Sequence, residues 1–179
     1  LVDVGSFSQR TLIEKGLAER GLKTTDVTDV ILTHAHWDHS INWVMFPKAR
    51  VLIGAAEMAW ALDQPWGYAT LPELYIRELN GSKQLTRIRA GDEVLPGITA
   101  HDAPGHTPGH LVFVLAGPDR DVIFTGDSAK NRPELVSRVA DMSMNLDQHA
   151  ATFALIWDLW RKRPGNVVIP GHDVPMILK

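Results

Sequence analysis

Hydrophobic and polar positions switch between two periods along this chain, and the switching predicts helices and strands in turn. Leu1–Val4 is an apolar run closed by Gly5 and reads as a short buried strand. Leu12, Ile13 and Leu17 recur at helical spacing, which predicts a helix over roughly Gln9–Arg20, capped by Ser6 and stopped at Gly21. Val27–Leu32 reads as a strand, Asp38–Met45 as a short helix ended by Pro47, Arg50–Ile53 as a strand and Ala55–Leu62 as a helix. Pro65, Trp66, Gly67 and Tyr68 mark Asp63–Pro72 as a loop, and Pro72–Leu79 suits a helix with proline at its first position.

In the second half the spacing becomes strand-like. Thr86–Arg89, Asp92–Leu95, Ile98–Ala103, Leu111–Ala116 and Val122–Thr125 read as strands separated by Gly and Pro-Gly turns. Phe153, Ile156, Leu159 and Trp160 form one apolar stripe, which predicts a helix from an Asp147 cap to about Lys162, stopped by Pro164-Gly165. Val167–Ile169 reads as the last strand. Strands interleaved with helices predict an α/β layered fold, and 179 residues predict one domain over 1–179.

Composition narrows the function. A 45% hydrophobic and 22% charged chain is ordinary for a packed protein, which excludes disorder. A net charge of −3 gives no footprint for nucleic acid or an anionic membrane, so neither is expected as a partner. No apolar run approaches the ~20 residues of a membrane span, and the N-terminus lacks the basic and apolar regions of a signal peptide. The chain opens on Leu1, without methionine and inside a predicted strand, so residues are expected to have been lost upstream. Zero cysteines exclude disulfides, thiolate metal sites and cysteine nucleophiles together. They leave the compartment undecided, with the cytoplasm preferred.

Eight histidines remain, unevenly placed. Thr33-His34-Ala35-His36-Trp37-Asp38-His39 puts three imidazoles and a carboxylate into six residues. In an extended segment positions i and i+2 share a face, so His34 and His36 can converge. Asp38 and His39 are neighbours and are expected to diverge from that pair, favouring two adjacent centres. Three more candidates each follow a predicted strand: His106 in Pro104-Gly105-His106-Thr107-Pro108-Gly109-His110, Asp127 in Gly126-Asp127, and His172 in Gly171-His172-Asp173. Seven candidate ligands exceed the roughly four of a single zinc site and suggest two ions sharing a carboxylate. His101 is expected on a strand, His149 in a helix start, and His110 as a partner that orients a ligand or loop. Asp173 and Asp29 read as turn carboxylates rather than such partners.

In this order the motifs His-x-His-x-Asp-His, Pro-Gly-His-Thr-Pro-Gly, Gly-Asp and Gly-His resemble the metallo-β-lactamase-fold hydrolase superfamily over nearly the whole chain. The resemblance implies an αββα sandwich, here shortened at its N-terminus. By position it implies His34, His36 and His106 on a first metal, Asp38, His39 and His172 on a second, and Asp127 bridging. It also implies two divalent ions, most simply zinc, and a hydrolase that attacks a lactone or ester through a metal-bridging hydroxide, with Asp38 as proton shuttle. The Gly171-His172-Asp173 ending and the spacing from Asp127 look most like N-acyl-homoserine-lactone lactonases. Those enzymes carry Tyr three residues past the bridging Asp, where this chain has Lys130, and Ser40-Ile41-Asn42 stands where many relatives have glycines. Lys130 is therefore expected to replace the Tyr as a donor to the substrate carbonyl, with a short turn aiming it there. Trp37, Met45, Phe46, Trp66, Tyr68, Met142 and Met144 are expected to give the substrate pocket an apolar side, and Trp60, Trp157 and Trp160 to fill core. β-Lactamase-like or phosphodiester hydrolysis on the same fold, and a persulfide dioxygenase-like iron chemistry, are the alternatives. The oligomeric state is left open.

Overall fold

The computed structural model describes residues 1–177, so the last two residues of the expected domain 1–179 lie outside the described residues. The chain forms two compact units, Leu1–Arg87 and Ile88 onward.

The first unit holds a three-stranded sheet in the order β1 (Asp29–Leu32), β2 (Arg50–Gly54), β3 (Leu85–Ile88). β1 and β2 are parallel, pairing Val30 with Val51 and Leu32 with Ile53. Both are short runs of β-branched and apolar residues, as strands buried on both faces should be. Val30, Leu32, Val51 and Ile53 share a core with Leu17 of α1 (Arg10–Ala18), with Met58 and Ala61 of α3 (Ala55–Asp63), and with Ile76 and Leu79 of α4 (Glu73–Gly81). A short α2 (Trp37–Ser40) follows β1 and continues as a 3-10 turn over Ile41–Met45.

The second unit holds a six-stranded sheet: β4 (Glu93–Leu95), β5 (Ile98–Asp102), β6 (Leu111–Leu115), β7 (Val122–Gly126), β8 (Val167–Pro170) and β9 (Met176–Ile177), in that order. All neighbours are antiparallel except β7 and β8, which are parallel. A parallel pair needs a crossover, and α5 (Arg132–Ser137) and α6 (Leu146–Arg161) lie on that connection. The α6 stripe of Phe153, Ile156 and Trp160 packs with Val112, Ile123 and Val168 of the sheet and with Leu135 of α5.

Four expectations need correction. Leu1–Val4 is only a bridge between Val2 and Ile31, because Asp3 adopts a left-handed backbone (φ 50°) that ends the extended run. Pro72 caps α4 from outside and is not its first residue. Asn145, not Asp147, caps α6: its side chain accepts the Gln148 N–H, while Asp147 sits in the first turn facing the helix dipole. Helix α5 is missing from the sequence reading, although Asn131-Arg132-Pro133-Glu134 carries its signature. Asn131 accepts the Glu134 N–H, and the helix opens with proline in its first turn.

Candidate metal centre

In the first unit the strand β1 delivers Thr33 and then four candidate ligands. His34 and His36 leave the strand extended, and their rings lie 4.6 Å apart between centroids. The expected divergence of His39 is not seen. The turn of α2 folds its ring back to 4.3 Å from His34, with its Nε2 3.7 Å from Asp38 Oδ2. His34, His36 and His39 are buried; Asp38 is about a quarter exposed.

These rings are held by residues the sequence reading missed. Asp3 accepts the Thr33 N–H and the Thr33 hydroxyl, both at 2.8 Å, and lies 2.9 Å from His39 Nδ1. A carboxylate only accepts here, so His39 Nδ1 donates, which in the neutral ring leaves the lone pair on Nε2. The Thr33 hydrogen is already committed to Asp3, so the 3.0 Å contact with His34 requires His34 Nδ1 to donate to Thr33 Oγ1. Asp3 reaches this position through its left-handed backbone, a conformation that Asp tolerates better than most residues. The buried Glu57 accepts the Ala35 N–H, and Ser40 donates to the Ala35 and His36 carbonyls, which fixes the backbone between the two histidines. Asn42 donates to the carbonyls of Val4, Gly5 and Ser6, so the departure from glycine at this position anchors the Asp3 segment. The signal for Asp3 is its left-handed, strand-ending position just before Gly5, which periodicity alone does not reveal.

In the second unit the ligands come from three separate loops. His106 stands on the turn after β5, Asp127 at the end of β7 and His172 just past β8. His106 Nε2 is 3.3 Å from Asp127 Oδ2, and His172 Nε2 is 3.1 Å from Asp127 Oδ1. Asp127 is therefore flanked by both imidazoles. His106 Nδ1 lies 3.0 Å from the Met142 carbonyl, which only accepts, so Nδ1 donates and the neutral ring has its lone pair on Nε2. The glycines of these motifs are sterically required. A Cβ on Gly171 would collide with Asp127 Oδ1 and lie 2.8 Å from the Gly126 carbonyl, and one on Gly105 (φ 135°) would lie 2.5 Å from His149 Cα.

His110 is buried and orients Asp127. Its Nε2 accepts the Asp127 N–H at 3.2 Å, so its Nδ1 carries the proton and donates to Ser128 Oγ at 2.9 Å. Ser128 in turn donates to the Ala103 carbonyl. His149 is also buried, 3.0 Å from the Ser128 carbonyl, and burial pushes its pKa below the ordinary value. His101 lies on β5, and burial lowers its pKa as well, with Lys162 adding to the shift. Asp173 accepts the Arg132 and Val174 N–H groups, which hold its carboxyl below the usual range, and Asp29 pairs with Arg50. Asp173 is an exposed turn carboxylate, whereas Asp29 lies on β1 with its side chain only 15% exposed, contrary to the expectation of a turn.

Lys130 is buried, with its Nζ 3.3 Å from Glu134 Oε1 and 3.6 Å from Asp141 Oδ2. Of the expected apolar pocket residues, Phe46 is fully buried core, and Met45 and Tyr68 pack against that core. Trp37, Trp66, Met142 and Met144 are exposed. Trp160 lies in the core of the second unit with Trp157 packed at its margin, and Trp60 packs at the margin of the first unit's core.

Imidazole nitrogens and carboxylate oxygens of this kind suit a divalent ion, and His34, His39 and His106 each place Nδ1 against an acceptor. The α/β fold carries these candidate His/Asp metal ligands at its strand ends. The chain belongs to the metallo-beta-lactamase superfamily, whose family model matches residues 1–172. It is 30% identical to the N-acyl homoserine lactonase AttM of Agrobacterium fabrum, over 86% of this chain and 60% of that protein. It is 25% identical to a Mycobacterium tuberculosis protein named "Probable metallo-hydrolase Rv2300c", over 94% of this chain and 62% of that protein. The chain thus spans about three-fifths of these curated relatives. Among solved structures, AidC, described as a dizinc quorum-quenching lactonase in complex with a product, superposes with a TM-score of 0.80 at 18% identity, covering 97% of this chain and 68% of AidC. An N-acyl homoserine lactone hydrolase with N-hexanoyl-L-homoserine at its metal centre superposes at 0.77 and 20% identity, covering 97% and 76%. Among the described residues no helix is long and apolar enough to cross a membrane.

Proposed function

We propose that this chain is the catalytic part of a dinuclear-metal hydrolase that opens a lactone or cleaves an ester. In this reading His34, His36 and His106 hold one ion, Asp38, His39 and His172 hold the other, and Asp127 is shared. Zinc is the metal of choice, since a dizinc lactonase has the same fold. The observation that supports the reading best is the set of Nδ1 contacts: His34, His39 and His106 each place Nδ1 against an acceptor, which in the neutral ring leaves Nε2 as the lone-pair nitrogen that a metal requires.

Two such ions supply Lewis acidity and a hydroxide nucleophile at neutral pH. The chain does the rest. Asp3, Thr33 and the Met142 carbonyl hold the ligand rings, so little reorganisation accompanies the reaction. Asp38, partly exposed, takes up the proton released on attack and returns it to the leaving alkoxide. Exposed Trp37, next to His36, and exposed Met142 and Met144 offer apolar surface to an acyl group. Lys130 is expected from the sequence to donate to the substrate carbonyl, but its ammonium is engaged by Glu134, and we assign it a structural role.

The test is a substrate panel of acyl-homoserine lactones, simple esters, a β-lactam and a phosphodiester. The zinc-loaded protein should hydrolyse the lactones or esters, lose that activity to a chelator and regain it with zinc. Turnover confined to the β-lactam or the phosphodiester would overturn the substrate class.

A further inference from the structure

A buried carboxylate outside the proposed ligand set controls one of its histidines. Glu134, on α5, is only 4% exposed. Its Oε1 accepts the Asp141 N–H at 2.8 Å, its Oε2 accepts the Lys130 N–H at 2.8 Å, and the Lys130 ammonium neutralises it from 3.3 Å. Burying a carboxylate is costly, and the ion pair with these backbone bonds offsets that cost. The Asp141 bond matters because the next residue carries the acceptor for His106: the Met142 carbonyl takes the His106 Nδ1 proton at 3.0 Å. Residues 139–145 contain no helix or strand. Their later part is tied to the Gly105 carbonyl, which accepts from Ser143 Oγ, Met144 N–H and Asn145 N–H. The earlier part is held by the Glu134 grip on the Asp141 N–H, beside the contact of Lys130 with Asp141 Oδ2 and the packing of Ala140 against the core, so the Met142 carbonyl is suspended between a clamp at Asp141 and a clamp at Ser143.

We propose that Glu134 is a positioning residue for His106: by gripping the Asp141 amide, it aims the Met142 carbonyl that fixes the His106 ring and its tautomer. The proposal rests on the reading of His106 as a metal ligand. It also explains why Lys130 is buried beside a carboxylate, as the counter-charge that lets Glu134 stay ionised in the interior.

The experiment uses the full chain carrying Lys130→Met with Glu134→Met, which replaces the ion pair by apolar groups of similar volume, a change that folded proteins often accept. Trp157→Phe serves as the comparison, because it loosens the same helix by removing the Trp157 N–H bond to the Leu135 carbonyl without touching Asp141. Two quantities are read. The first is the imidazole nitrogen spectrum of His106 in the chelator-stripped protein, assigned with His106→Gln; the second is zinc affinity by titration. The double variant should lose the Nδ1-protonated signature of His106 and bind zinc about 10–100-fold more weakly, as when a ligand-orienting partner is removed. Trp157→Phe should lower the Tm and leave both readings unchanged. An unchanged His106 spectrum in the double variant, or an equal change in Trp157→Phe, overturns the proposal. If the unsubstituted protein takes up no zinc, the dinuclear reading fails, and the spectrum still decides the role of Glu134.

Discussion

The two units prepare their candidate metal ligands in opposite ways. The first compresses His34, His36, Asp38 and His39 into one strand end and one turn of helix, where the His36 and His39 rings lie 4.6 and 4.3 Å from that of His34. The second draws His106, Asp127 and His172 from three loops, and needs glycines with no room for a Cβ to do it. The orienting partners differ in kind too. In the first unit a side chain, Asp3, sets the His39 ring; in the second a main-chain carbonyl, Met142, sets His106. A local cluster therefore depends on a distant side chain, and a dispersed cluster on how a loop is held.

The largest effect should come from Asp127, where the dispersed set converges. Asp127→Ala should abolish hydrolysis, while His110→Ala, which only orients Asp127 through its N–H, should cost about 10–100-fold. Steady-state kinetics on the same lactone compares them, and equal or reversed losses would mean that the roles of Asp127 and His110 are misassigned.

Asp3 and Met142 sharpen the contrast directly. Asp3→Asn keeps the left-handed backbone, which Asn also tolerates, but weakens the hold on Thr33 and His39, and should lower affinity for one zinc by about 10–100-fold. Met142→Ala leaves its carbonyl in place and should leave zinc affinity unchanged. A calorimetric titration of both variants checks the difference, and a loss in Met142→Ala would show that its side chain matters as well.

Much of this was legible in the sequence, for physical reasons that differ by region. The convergence of His34 and His36 follows from the two-residue period of an extended chain. The helix stripe of α6 follows from Phe153, Ile156 and Trp160. Asp3 was hidden because a left-handed residue ends a strand without changing the apolar pattern, and its partners are 30 and 36 residues away. The fold-back of His39 was hidden because periodicity does not say how tightly a four-residue helix turns. Helix α5 and the Glu134 clamp were hidden because six residues leave too short a stripe to read, although the Asn131 cap and Pro133 were in view.

A smaller effect is expected at Lys130. Removing an oxyanion donor costs about 10²–10³ in kcat, whereas a structural lysine paired to Glu134 should cost well under that. Lys130→Met should therefore lower lactone turnover by less than about 10-fold, judged against that donor range. A larger fall in kcat and kcat/KM together, partly restored by Lys130→Tyr, would return Lys130 to the carbonyl.

The smallest effect is on pH-dependent stability. Burial holds the His149 pKa below its ordinary 6.5, so the unfolded chain takes up this proton first as pH falls. Stability from neutral His149 is thus fully present above about pH 6.5 and is lost below it, with a slope of at most about 1.4 kcal/mol per pH unit. Urea unfolding of the chain and of His149→Gln between pH 7.5 and 5.5 should show a shallower decline in the variant, and parallel curves would mean that His149 takes up its proton alike in both states.

The central claim is that the local and the dispersed sets serve one pair of ions. Its most direct test is the zinc content of stripped and reloaded protein, for the unsubstituted chain and for His172→Ala, by elemental analysis. The account predicts about two equivalents falling toward one in the variant, as expected when one of two sites loses a ligand. A single equivalent that His172→Ala leaves untouched would contradict it.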